Sequence, residues 1–193
     1  MKKILIYIIL CISFISCNNV NTSKIPITTN IIGLELYEKI DYYSINNIFN
    51  VSLNKDFYVH EEIVSDDIFV YHCFPYVEPK DKLSFYHENL LWKYITIGTF
   101  KQQIFSITIY DSYDNNSDAL KQYKKMLKTF NKKYCKANYL KNDETDKAVF
   151  WSDGMTSIIL SLQLINIDNT YRYFCELKYY NKSLENFYYE RVD

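Results

Sequence analysis

The chain has 193 residues and a mass of 23.2 kDa, a length typical of one domain. Hydrophobic residues make up 48% of it and charged residues 23%, which excludes a disordered tail or a collagen-like rod. With only three glycines, the chain has no glycine-rich phosphate loop. A formal net charge of −1 gives no indication of nucleic-acid binding.

The first sixteen residues have the layout of a bacterial signal peptide. Two lysines precede an apolar run over residues 4–15. This run is shorter than the roughly 20 residues that a membrane-spanning helix needs, and it has the length of a signal-peptide core. It leads into Ser16-Cys17, with Phe14 three places before the cysteine. This ending resembles the lipobox of bacterial lipoproteins, although Leu, Val or Ile is usual where Phe14 stands.

The lipoprotein resemblance implies removal of residues 1–16 and a diacylglycerol thioether on Cys17, with an acyl chain such as palmitate on its freed amine. Several acyl chains together anchor a protein firmly to a membrane. The resemblance therefore implies a lipid-anchored protein of the bacterial cell envelope, at the outer membrane or the cell surface. The alternative is an ordinary secretory signal followed by an unrelated cysteine. After processing, 20 basic residues would face 23 acidic ones, and we expect no polybasic patch for anionic lipid.

Three cysteines would remain besides Cys17, namely Cys73, Cys135 and Cys175. They allow at most one disulfide, and all three pairings are open. Their spacing fits no zinc site, so we expect small buried hydrophobic residues instead. Strict alternation over Tyr171–Tyr180 places Cys175 on the apolar face of a strand.

Residues 17–25 are predicted to be the lipidated cysteine and a flexible polar tether, and residues 26–193 a single domain. A short helix is expected over Tyr37–Phe49, a long loop over Pro75–Leu91, and a short helix or frayed end over Leu184–Asp193. The predicted strands are Asp67–Phe74, Lys93–Phe100, Gln103–Tyr110, Lys147–Trp151, Met155–Ile165 and Tyr171–Tyr180. Tight turns are expected at Lys101-Gln102 and at Ser152-Asp153-Gly154.

The strongest helical pattern covers Asp118–Tyr134, with Ser117 or Asn116 as the expected cap. Its apolar residues recur at three- and four-residue steps, as in a single buried stripe. The stripe consists of Leu120, Tyr123, Leu127, Phe130 and Tyr134.

The element order predicts an α+β fold, an antiparallel β-sheet with helices packed on one face. Two halves, each a helix followed by three strands, suggest a duplicated α-βββ unit. The order loosely resembles that of small envelope lipoproteins and inhibitors, such as BamE-type assembly lipoproteins and β-lactamase inhibitor proteins. No binding residue transfers from either group.

The sequence offers little catalytic or metal-binding chemistry. The histidines, His60, His72 and His87, lack the spacing of a metal site, so we expect no metal and no cofactor. A calcium loop that would open at Asp114 lacks its glycine and its final glutamate. The adjacent carboxylates of Glu61-Glu62 and Asp66-Asp67 leave a hydrolase as the weakest alternative, and we expect no enzyme.

Aromatic content is the unusual feature, with 20 Tyr, 12 Phe and 2 Trp. Tyrosine suits interfaces and flat sugar rings, although the codon bias of an AT-rich genome also explains it. Arg172, Phe174 and Tyr180 lie opposite the core-facing residues of the last strand and form the candidate contact surface. The sequence thus predicts a non-catalytic protein-binding module for envelope assembly, inhibition or immunity. Glycan or small-ligand binding is the alternative.

Overall fold

The computed structural model describes residues 20–48, 57–75, 85–143, 145–167 and 169–181. It contains helices α1 (Tyr42–Asn47) and α2 (Asn116–Lys133). The strands are β1 (Asn30–Ile31), β2 (Leu34–Glu35), β3 (Phe57–Ser65), β4 (Ile68–Pro75), β5 (Phe85–His87), β6 (Leu90–Trp92), β7 (Tyr94–Phe100), β8 (Gln103–Tyr113), β9 (Asn138–Asn142), β10 (Lys147–Ser152), β11 (Thr156–Ile167) and β12 (Thr170–Asn181). Cys17 and the predicted element at Leu184–Asp193 lie outside the described residues.

Eight strands form one antiparallel sheet in the order β3-β4-β7-β8-β12-β11-β10-β9. Each half of the sheet is a helix followed by four neighbouring strands, and the last strands of the two halves, β8 and β12, meet at the centre. The predicted α+β fold with helices packed on an antiparallel sheet is confirmed. Each half has four strands where three were predicted. The strands that the sequence analysis missed are the edge strands β3 and β9.

The core lies between one side of the sheet and the elements that cover it, which are α2 and residues 27–48. A row of paired residues crosses five adjacent strands on this side, and all of its members are almost completely buried. These residues are Ile97, Ile107, Tyr179, Ile158 and Trp151. Because side chains alternate along a strand, the residues directly before and after each member of this row point to the opposite face of the sheet.

Helix α2 begins two residues earlier than predicted. Its cap is Asn115, whose side-chain oxygen accepts a hydrogen bond from the backbone N–H of Asp118 at 2.9 Å. The buried stripe is Ala119, Tyr123, Met126 and Phe130. Leu120 and Leu127 are only half-buried at its margin, so the predicted stripe was rotated slightly about the helix axis.

The helix predicted over Tyr37–Phe49 is shorter in the structure. Residues before it pair with the start of β8: the N–H of Tyr37 donates to the carbonyl of Ile104, and the N–H of Ile104 donates to the carbonyl of Glu38. Asp41 then caps α1 by accepting a hydrogen bond from the N–H of Ser44 at 2.8 Å. The extended pairing with the sheet therefore delays the start of the helix.

The described part of the predicted loop over Pro75–Leu91 contains a hairpin, β5–β6. Its turn residues, Glu88 and Asn89, have φ angles of 51° and 60°, the left-handed geometry that tight hairpin turns require. The buried Trp92 indole donates to the carbonyl of His87 at 3.2 Å. The turn contains no glycine, which is why the hairpin was not predicted.

The other two tight turns are confirmed. Lys101 and Gln102 connect β7 to β8 with φ angles of 49° and 63°. Gly154 connects β10 to β11 with a φ of 98°, a conformation that glycine adopts freely.

The N-terminal segment lies against the domain from Asn21 onward, which differs from the flexible tether expected over residues 17–25. The N–H of Ser23 donates to the carbonyl of Ser152 at 2.8 Å, beside a parallel bridge from Thr22 to the same residue. The polar sequence gave no apolar pattern by which to detect this pairing.

The three described cysteines are free. Cys73 and Cys175 are buried, as expected, and burial raises the pKa of both thiols. They lie three strand spacings apart on the core side, roughly 14 Å, which excludes a disulfide between them. Neither helix of the described chain has an apolar run that would cross a bilayer.

Candidate functional site

The side of the eight-stranded sheet opposite α2 is here called the open face, because no described helix lies over it. Large half-exposed side chains stand on it among small ones. The small residues include Gly98 and the buried serines Ser106, Ser157 and Ser161. A floor of small residues gives the neighbouring aromatic side chains access to solvent.

Three aromatic rings form a row at the centre of the open face, here called the aromatic row: Tyr94, Tyr110 and Phe174. The register places Tyr94 directly opposite Tyr110, and their rings stack with centroids 5.1 Å apart and planes 20° apart. The Phe174 ring lies 6.3 Å from that of Tyr110. Burial raises the pKa of Tyr110, whose phenol is neutral at physiological pH even at its ordinary pKa.

A depression of about 410 Å³ opens beside the aromatic row. Arg172 forms part of its lining, with 40% of its side chain exposed, and the guanidinium Nε lies 3.8 Å from the Asp114 carboxylate. Ser112 and Thr170 add hydroxyl groups to the lining. The depression therefore combines flat apolar rings, one cation and neutral hydroxyl groups.

Glu176 and Lys178 bring charge to the middle of the open face. Glu176 is paired across the sheet with Tyr110 on one side and Ser161 on the other. Burial raises the pKa of the Glu176 carboxyl, and the nearby Lys178 partly offsets this effect. The Lys178 ammonium lies 5.3 Å from the centre of the Tyr180 ring.

A second depression, of about 430 Å³, lies farther along the open face. Tyr180 and Phe150 line it together with Val20 and Thr22 of the N-terminal segment. A third, of about 220 Å³, lies over Gly98 at the sheet centre.

Two histidines occupy the β3–β4 edge of the open face. The Nε2 atom of His72 lies 3.0 Å from a Glu62 carboxylate oxygen, and its ring stacks near that of His60 with centroids 6.2 Å apart. Glu61 points to the other side of β3, because adjacent strand residues alternate. The two carboxylates of the Glu61-Glu62 pair therefore do not share a site.

The residues predicted as a contact surface all lie on the open face. Arg172 and Phe174 line the same depression. Tyr180 lies six residues farther along β12, roughly 20 Å from Phe174, and lines the second depression instead. Sequence reasoning missed Tyr94 and Tyr110, which complete the aromatic row.

Within the described ranges, no three His, Cys, Asp or Glu side chains group as metal ligands would. Comparison with family models, with curated proteins and with solved structures found no match to this chain.

Proposed function

We propose that this chain is a lipid-anchored lipoprotein of the bacterial cell envelope, at the outer membrane or the cell surface, and that it binds another protein without catalysing a reaction. The contact surface is the open face, centred on the aromatic row and Arg172. The observation that carries the proposal is a row of three half-buried rings that line a solvent-filled depression beside a guanidinium on a broad sheet face.

The composition of this face matches that of protein interfaces. Tyrosine and arginine are enriched among the residues that contribute most binding energy, and such residues cluster near the centre of a contact. The Tyr94–Tyr110 stack holds both rings in place before binding, which lowers the entropy cost of ordering them. Arg172 keeps solvent access beside these rings and supplies a planar donor for a partner's carboxylate or carbonyl group.

The contact surface is tested by affinity capture from detergent-solubilised envelopes. We expect Phe174→Ala and Arg172→Ala each to weaken capture of the specific partner at least tenfold while the melting temperature stays close to that of the parent chain. Tyr86→Ala is the matched control, because Tyr86 is 74% exposed on the β5–β6 hairpin, away from the open face. Equal capture by Phe174→Ala and Tyr86→Ala would contradict the proposed surface.

The anchor has its own test. We expect Cys17→Ala to leave an unprocessed precursor and to abolish labelling by a fatty-acid probe. Labelling that persists in this variant would remove the anchor from the proposal without affecting the open face.

A second candidate function is glycan binding in the depression beside Tyr110. The stacked rings would lie under a sugar ring, and the hydroxyl groups of Ser112 and Thr170 would meet its edges. A glycan array distinguishes the two functions. A glycan that binds the parent chain but not Tyr110→Ala would favour this candidate over protein binding.

A further inference from the structure

Helix α2 presents a stripe of lysines to solvent. Five exposed lysines share one side of it, here called the lysine face: Lys121, Lys124, Lys125, Lys128 and Lys132. At 100° per residue they fall within an arc of about 100°, centred opposite the buried stripe, and extend over roughly 17 Å of the helix axis. The helix therefore packs one side on the sheet and turns an almost purely cationic side outward.

No carboxylate of the described residues pairs with the lysine face. Within the described part of the chain, none of its five lysines forms an ion pair, while the neighbouring Lys133 pairs with Glu88. Residues 116–136 contain seven lysines and one acidic residue, Asp118. The expectation of no polybasic patch for anionic lipid came from a charge sum over the whole chain, and that sum hides this local concentration of lysines.

The N-terminal segment is held at one end of the lysine face. The N–H of Asn21 donates to the side-chain oxygen of Asn138 at 2.8 Å, and the Asn21 carbonyl accepts from the Asn138 amide at 2.9 Å. The Cys135 thiol, two residues past the end of α2, lies 3.7 Å from the same carbonyl. Four residues separate Cys17 from Asn21, and an extended chain spans at most about 3.6 Å per residue. A lipid on Cys17 would thus lie within about 14 Å of this point.

We propose that the lysine face rests on the anionic phospholipid headgroups of the membrane that holds the chain's own lipid. This inference depends on the lipid anchor of the proposed function. The anchor brings the edge of the sheet beside the C-terminal end of α2 to the bilayer. The same segment lines the second depression on the open face, so the charge of the lysine face decides which side rests on the lipid. Each lysine near an anionic surface strengthens association about fivefold. Because the open face lies on the other side of the sheet, this docking directs the aromatic row away from the membrane.

The inference is tested on the full chain by the rate at which each lysine is acetylated, which mass spectrometry measures separately for each residue. The purified lipid-labelled protein is reconstituted into vesicles of phosphatidylcholine alone and into vesicles with about one third phosphatidylglycerol. We expect Lys124 and Lys128 to react at least fivefold more slowly on the anionic vesicles. About 1 M salt should remove this protection, since it shortens the Debye length to about 3 Å. Lys39 and Lys101, exposed away from α2, should react alike on both vesicles.

A charge reversal supplies the matched variants. Lys124→Glu combined with Lys128→Glu should restore fast acetylation of Lys121 on anionic vesicles, whereas Lys39→Glu combined with Lys101→Glu should not. Equal reaction rates on both vesicles would overturn the inference, as would protection of Lys39 and Lys101 in place of the helix.

Other outcomes separate this inference from its premises. Protection that persists on neutral vesicles and rises with protein concentration would indicate docking between copies of the chain and would overturn the lipid surface. A missing fatty-acid label would overturn the anchor and, with it, the placement of the lysine face on the membrane of the chain's own lipid, even if protection on anionic vesicles remained. A present label without protection would overturn the lysine face alone.

Discussion

The carboxylate of Asp153, in the β10–β11 turn, accepts a hydrogen bond from the backbone N–H of Ile27 at 2.7 Å. Its other oxygen accepts from the N–H groups of Met155 and Thr156 within the turn. Ile27 is almost completely buried. One side chain therefore shapes the hairpin and fixes the N-terminal segment against the domain.

Replacing Asp153 by Ala should destabilise the fold by about 1.5–3 kcal/mol, the value of hydrogen bonds to a charged acceptor. Urea denaturation of the detergent-solubilised full chain measures the loss. Asp146→Ala is the control, because the side chain of Asp146 pairs with Lys141 at the surface and should contribute less than about 1 kcal/mol. Equal losses in the two variants would contradict the role assigned to Asp153.

Gly154 provides a second test of this turn. Its φ of 98° is strained for any residue with a Cβ, although an added Cβ would meet no atom within 4 Å. We expect Gly154→Val to cost about 1–3 kcal/mol through backbone strain alone. Met155→Val, at the exposed position next to Gly154, should change the free energy of unfolding by less than about 0.5 kcal/mol. An unchanged urea midpoint for Gly154→Val would show that the turn does not need this geometry.

Phe130 joins α2 to the sheet. Its ring centroid lies 5.3 Å from that of Trp151 and 6.4 Å from that of Tyr179. Phe130→Ala should destabilise the protein by about 3–5 kcal/mol, because it removes buried area and leaves a cavity. Lys124→Ala, on the outer side of the same helix, should change stability by less than about 0.5 kcal/mol. Similar melting temperatures for the two variants would contradict the packing of α2.

His87 gives the fold a dependence on pH. Its Nε2 atom lies 2.7 Å from the hydroxyl of the buried Tyr179, and burial lowers the pKa of His87 to about 4. Glu88 raises this pKa and Lys133 lowers it, both to a smaller extent. The unfolded chain, in which the pKa is near 6.5, therefore binds the proton more readily. The contribution of the neutral His87 to the free energy of unfolding is therefore fully present above pH 6.5 and is lost as the pH falls towards 4.

We expect the free energy of unfolding to fall by about 2 kcal/mol between pH 7 and pH 5 because of His87. Urea midpoints at the two pH values measure the loss, and His87→Gln should remove that part of it. His72→Gln is the comparison, since His72 lies on the open face beside Glu62. A His87→Gln variant with the full pH dependence of the parent would show that His87 is not the group responsible.

The sequence predicted the strands whose two sides differ in polarity. In β11 and β12, alternation is nearly unbroken, so the faces of Cys175 and Phe174 were both assigned correctly. The edge strands β3 and β9 lack this signal. Glu61 and Glu62 interrupt the pattern in β3, and the residues of β9 are mostly exposed, so no buried stripe marked either strand.

The aromatic row was beyond sequence reasoning because a bulge sets its register. Counting outward from the turn at Lys101-Gln102 would place Tyr94 opposite Ile109. The irregularity at Gly98 shifts the pairing by one residue, so that Tyr94 meets Tyr110. The lysine face, in contrast, was visible in the spacing of the lysines along the predicted helix, and only the sum of charges concealed it.

Site-specific photo-crosslinking at Phe174 tests the proposed contact surface most directly. A benzophenone amino acid replaces Phe174 in the full chain, and the same probe at Tyr86 is the control. If the open face is the contact surface, the probe at position 174 should give one dominant covalent adduct with an envelope protein. Adding Arg172→Ala should abolish this adduct, and the probe at position 86 should not form it. Equal adducts at the two positions, or an adduct at position 86 alone, would contradict the account.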